Sequence, residues 1–170
     1  MAAGSIVKIV VAAAVLALTL GFGWLMGRAG VGQEVPVASL TELERGFAER
    51  MQQVVLVGHF TVDGRETGGA NPERYEIASV AKVGDDTWRF DVRMVYGNFD
   101  ATLPVVVPIV WAGDTPMVSI TDFGIPGLDG TFTARVFFYE DRYGGSWEHA
   151  MERGVFGGLM YGHIEPMAAG

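Results

Sequence analysis

The chain has 170 residues, enough for one domain and an appendage but short for two. It contains no cysteine, which excludes disulfides, thiolate metal sites and a cysteine nucleophile. Lys8 and Arg28 are the only basic residues before Glu34, so 10 of the 12 basic residues share the remaining chain with all 20 acidic ones; a surface of that sign repels phosphate and excludes nucleic acid as a natural partner.

From Ile9 to Met26 the chain runs for 18 residues without a charge. As a helix this stretch spans about 27 Å, close to the thickness of a bilayer's hydrocarbon. A cleaved signal peptide has a shorter apolar centre, roughly 7 to 15 residues, and small residues at its cleavage site. Here the nearest small-residue site, Gly27-Arg28-Ala29, has an arginine at its middle. Residues 1–29 therefore read as a retained membrane anchor, a signal-anchor helix over about 6–27, with Trp24 at interface depth. Lys8 and the terminal amine outweigh Arg28, which predicts a cytoplasmic N-terminus and an exported C-terminal domain. Ala13, Ala17 and Gly21 recur at four-residue spacing, and Gly23 and Gly27 form a GxxxG. Small residues let helix backbones approach closely in lipid, so this face is a candidate dock for other transmembrane subunits.

Residues 30–38 read as a short linker with Gly and Pro, and residues 39–52 as an amphipathic helix. Ser39 with Glu42 three residues later has the form of a capping box. Leu40, Leu43, Phe47 and Met51 make one stripe, expected to cover an open end of the domain that comes after it.

Over 53–165 the period changes to two, the mark of strands with one buried face. In "WRFDVRMVY", Trp88, Phe90, Val92, Met94 and Tyr96 point one way while Arg89, Asp91 and Arg93 point the other. Similar runs at "VVLVGHFTV", "RYEIASVAKV", "ATLPVVVPIVWA", "PMVSITDF", "GTFTARVFFYED", "GSWEHAM" and "GGLMYGHIE" bring the total to about eight strands. Asp63-Gly64, Gly84-Asp85 and Gly113-Asp114 suit tight hairpin turns. The fold class is all-β, an antiparallel meander that closes as a barrel or, alternatively, splits into a β-sandwich. Pro104 and Pro108 remove ladder donors, which places their strand at an edge or beside a bulge. Residues 166–170 form a tail.

His59, His149 and His163 are the only histidines, and a shared zinc or copper site would require all three to converge. Their spacing has no metal-site pattern, and the serines lack the GxSxG arrangement of an activated nucleophile. Neither a catalytic constellation nor a cofactor motif is present, so the chain reads as non-enzymatic and without a cofactor. Aromatic side chains are the richest resource, and Trp88, Phe90 and Trp111 are candidates to line a pocket for one small apolar molecule.

The strings "VGHFTVDGRE", "DDTWRFDVRMVYG", "VPIVWAGDTPMVSITD" and "GTFTARVFFYEDRYGGSWEH" resemble an uncharacterised family of bacterial proteins of planctomycete type, over roughly residues 53–165. The resemblance implies an exported β domain in a bacterial envelope and carries no activity. In outline the domain is also similar to calycins, the barrel group that includes lipocalins. Their Gly-x-Trp near the first strand is absent here; Gly145-Ser146-Trp147 has that spacing near the C-terminus.

Three functions are open to such a chain. One is a non-enzymatic accessory or assembly subunit of a membrane complex, single-pass in the bacterial cytoplasmic membrane with its β domain in the periplasm. Another is a tethered, calycin-like binder of a small apolar ligand. The third is a metalloenzyme built on the histidines.

Overall fold

The computed structural model describes residues 33–64, 71–96, 99–125 and 128–168. Its contacts divide the chain into Met1–Glu34 and Val35–Gly170, and every described helix and strand belongs to the second unit. The expected anchor and its small-residue face, Ala13, Ala17, Gly21, Gly23 and Gly27, lie outside the described residues. No helix among the described residues is long and apolar enough to cross a membrane.

Eight strands come after one short helix, α1 (Glu42–Arg50): β1 (Val54–Phe60), β2 (Asn71–Lys82), β3 (Thr87–Tyr96), β4 (Phe99–Ala112), β5 (Thr115–Phe123), β6 (Thr131–Tyr139), β7 (Arg142–Met151) and β8 (Gly154–Pro166). Each pairs antiparallel with the next, and β8 returns to β1 through Val54↔Pro166 to Phe60↔Met160. The meander is thus a closed barrel, and the sandwich alternative is ruled out. Closure satisfies the two ladder edges that an open sheet would leave exposed. At β4–β5 the turn uses Gly113 at φ 68, a conformation that costs an L side chain energy.

Inward and outward residues alternate as the pattern of β3 predicts. Trp88, Phe90 and Val92 are buried in the barrel, while Arg93 outside bonds Asp100 at 2.8 Å and Glu76 at 3.3 Å. In two strands the alternation slips. The register shifts between Ile77 and Ser79 in β2, and between Ile120 and Phe123 in β5. Each bulge moves the next inward position by one residue. Val80 then faces the core, and Phe123 enters the lumen while Asp122, at φ 51, stays exposed.

The prolines of β4 do not mark an open edge, because β4 has neighbours on both sides. Pairing with β3 runs along Phe99–Pro108, whereas pairing with β5 is confined to Ile109–Ala112. Pro104 and Pro108 therefore sit beside the part of the wall where the β5 ladder has ended, which is where missing donors do least harm.

Helix α1 begins two residues later than the Ser39–Glu42 pattern indicates. Two capping sequences overlap in "SLTELE", and the second one operates: the Thr41 hydroxyl accepts from the Glu44 N–H at 3.3 Å while the Glu44 carboxylate accepts from the Thr41 N–H at 2.9 Å. Ser39 instead bonds the Pro36 carbonyl at 2.7 Å within a 3-10 turn, Val37–Ser39, so the expected linker is partly ordered structure. Starting at Thr41 leaves Leu40 free to bury and carries Leu43 out to solvent, 48% exposed; Leu43 does not belong to the buried stripe. Phe47 and Met51 do, at 0% and 1% exposure. As the amphipathic pattern suggests, the helix covers one end of the barrel. Lys82, at the end of β2, donates to the Glu44 carboxylate and ties helix to wall. Burial pushes that carboxyl up, but the Lys82 and Thr41 hydrogen bonds outweigh it and hold it below its ordinary value.

At the C-terminus Pro166 still belongs to β8, and the Met167 N–H donates to the Gln53 carbonyl at 2.7 Å. The tail thus starts later than predicted.

Candidate ligand site in the barrel lumen

An eight-stranded barrel has an interior that side chains just fill, or that holds one small molecule. This one does both, at different depths. Beneath α1 the interior is solid: Phe47 meets Trp88 at 5.4 Å, Trp111 at 6.1 Å, Phe138 at 5.8 Å and Phe90 at 6.3 Å between ring centroids. Edge-on packing of this kind stabilises aromatic clusters beyond simple burial.

Below that layer lies a cavity of about 240 Å³. Leu56, Ile77, Val92, Val107, Val118 and Val136 contribute to its wall. Toward the end opposite the helix the lining passes to Phe60, Phe123, Phe132 and Trp147, with Ile125 and Leu128 from the β5–β6 connection. A dry, apolar cavity of about 150 Å³ takes up benzene, so by proportion this one suits about ten non-hydrogen atoms.

Of the three aromatics expected to line a pocket, Phe90 does so. Trp88 and Trp111 instead belong to the packed layer under the helix. Trp147, a strand aromatic outside those three, takes the lining position, its ring 5.6 Å from Phe60. Its indole N–H is buried without a hydrogen-bond partner among the described residues. An orphaned donor of this kind costs about 1–3 kcal/mol unless something accepts from it.

The described lining has one carboxyl, Glu73, and its placement depends on two glycines. In register, Glu73 of β2 faces Gly58 of β1, Gly58 faces Gly162 of β8, and Gly162 faces Tyr143 of β7. With no side chain on the two middle strands, the Tyr143 ring lies across them. Its hydroxyl donates to Glu73 Oε1 at 2.7 Å, and the Tyr75 hydroxyl donates to Oε2 at 3.3 Å. A β-carbon at Gly58 would fall 2.3 Å from the Tyr143 oxygen, and one at Gly162 would fall 2.8 Å from the ring.

Burial pushes the Glu73 carboxyl above its ordinary value of 4.5, against the lowering effect of the two phenols and of nearby His59. The Tyr143 phenol is raised as well, first by burial and then by the carboxylate it bonds. For an acid whose folded value is raised, the folded state binds the extra proton between the two values, so stability falls as pH rises through that window. We expect Glu73→Gln to remove this loss: above pH 4.5, denaturant midpoints of the parent should decline relative to the variant. Parallel midpoints would show that Glu73 titrates normally.

The histidines do not converge. His149 faces inward on β7, stacked on Phe132 at 4.0 Å, with its Nε2–H donating to the Asp129 carbonyl at 2.6 Å. His59 and His163 are exposed on the outer faces of β1 and β8, and His59 rests 6.3 Å from Tyr161. Among the described residues no group of three or more His, Asp or Glu side chains is arranged to hold a metal ion.

Comparison of the chain with protein-family models, with curated proteins and with solved structures finds no match in any of the three.

Proposed function

We propose that the domain binds one small apolar molecule inside the barrel, on the exported side of the membrane to which residues 1–29 are expected to tether it. The observation that supports this reading is the apolar cavity itself. Closely packed interiors leave few voids larger than a water molecule, and an apolar void forfeits contact energy that a ligand would restore. The packed aromatic layer beneath α1 indicates that the same chain fills its interior where filling is needed. The assembly-subunit reading depends on a helix face outside the described residues and takes second place for that reason.

The test uses 1-bromooctane, whose nine non-hydrogen atoms suit the cavity and whose bromine quenches nearby indole emission. Added to the full-length chain, it should quench Trp147 saturably. Ala134→Phe places a ring in the lumen, since Ala134 is part of the lining. That variant should lose the saturable quench and keep only the linear loss due to partitioning. Equal quenching in both proteins would overturn the proposal.

A further inference from the structure

Resting on the lumenal reading, the placement of Glu73 allows the ligand's head group to be specified. A carboxyl in an apolar cavity is costly to ionise unless a positive partner or several donors complete it. Here each oxygen receives one phenol, and the carboxyl keeps further acceptor capacity. No lysine or arginine contributes to the described lining. Among the described residues, then, the lining presents a directional acceptor with no cation bonded to it; His59, on the outer face of β1, acts on it only through its charge. Trp147 has the opposite polarity and can only donate, so a cationic group has its place at Glu73 and not at the indole.

The site is also built at some cost to the wall. Gly58 and Gly162 leave β1 and β8 without side chains at this level, and the space is given to Tyr143, whose hydroxyl holds the carboxylate. A purely apolar ligand would need none of this. We propose that the lumen takes a small apolar molecule bearing a primary amine, whose ammonium N–H groups bond the Glu73 carboxylate while its hydrocarbon part fills the cavity.

The test compares n-octylamine with n-octanol, matched in length and size, as displacers of 1-bromooctane from the full-length protein. A hydrogen bond to a charged group contributes about 1.5–3 kcal/mol, so the amine should displace the reporter at concentrations at least about tenfold lower. Because the chain is acidic overall, any cation is drawn to its surface, and two variants separate that effect from the site. Glu73→Gln should keep the bromooctane quench and abolish the preference for amine over alcohol. Ala134→Phe, which keeps Glu73 and fills the lumen, should bind neither probe saturably.

A preference that persists in Glu73→Gln, or an amine no better than the alcohol in the parent, would overturn the head-group assignment and leave the apolar cavity reading intact. Failure of 1-bromooctane itself to quench the parent would remove both. Should Glu73→Gln not fold, the parent and Ala134→Phe still decide. Read by titration calorimetry, which needs no reporter, octylamine binding that is tighter than octanol in the parent and lost on filling the lumen supports the assignment, and octylamine binding that survives filling belongs to the surface and overturns it.

Discussion

Replacing Phe47 with alanine lowers the stability of the barrel by about 3–5 kcal/mol, the range for removing a fully buried aromatic side chain. Phe47 has no exposed surface and meets four aromatic rings, from β3, β4 and β6. Its neighbours cannot close the gap, because Trp88, Trp111 and Phe138 are held by a closed wall whose strands are paired on both sides. The helix offers little resistance of its own: at nine residues it is too short to persist without packing, so it should loosen when its anchor is cut. Urea unfolding monitored by tryptophan emission measures the loss. A change below about 1 kcal/mol, the size of an ordinary surface or mild substitution, would mean that α1 is not an integral part of the core. Phe90 and Phe138 touch Phe47 above them and line the cavity below, so the same variant should also admit longer probes than the parent.

Gly58→Ala is expected to cost about 3 kcal/mol, the upper end of what overpacking usually costs, although it adds a single methyl group. The new carbon would meet the Tyr161 carbonyl oxygen at 2.3 Å and the Gly162 Cα at 2.9 Å, both backbone atoms of the paired strand, besides the Tyr143 hydroxyl at 2.3 Å. A side chain can rotate away, but the β1–β8 ladder cannot move without breaking barrel closure. The phenol would be pushed from Glu73, leaving the carboxyl with one donor fewer. Gly46→Ala is the contrasting case. Nothing lies within 4 Å of its new carbon, and alanine is the better helix former, so stability should rise by about 0.5–1 kcal/mol. Denaturant midpoints of the two variants should therefore move in opposite directions. If Gly58→Ala were neutral, the close crossing of Tyr143 over β1 would not exist in solution.

Much of the architecture is written in local pattern. The eight strands, the helix before them and the outward charges of β3 all derive from period two, period 3.6 and turn dipeptides, because side-chain direction alternates along a strand whatever it packs against. The overlapping caps at Ser39 and Thr41 mark the limit of local pattern: both satisfy the local chemistry, and only the burial of Leu40 against the domain chooses between them.

Past that limit the deciding contacts are distant in sequence. Alternation states which side chains share a face, and a barrel and a sandwich use the same alternation; the difference is the pairing of β8 with β1. It also cannot rank inward residues by depth, which is why Trp88 and Trp111 were chosen as pocket residues ahead of Trp147. Glu73 carried no signal in the sequence, since an isolated acid in an alternating strand is normally solvated. Its role depends on Tyr143, 70 residues away, reaching across two glycines on two other strands. Which residues of the regular strand β3 face inward, and that the strands form a meander, could be read from the amino acids alone, because neighbours along the chain set those properties. Closure, the cavity and its single carboxyl emerge only on folding, because each depends on which strand comes to lie beside which.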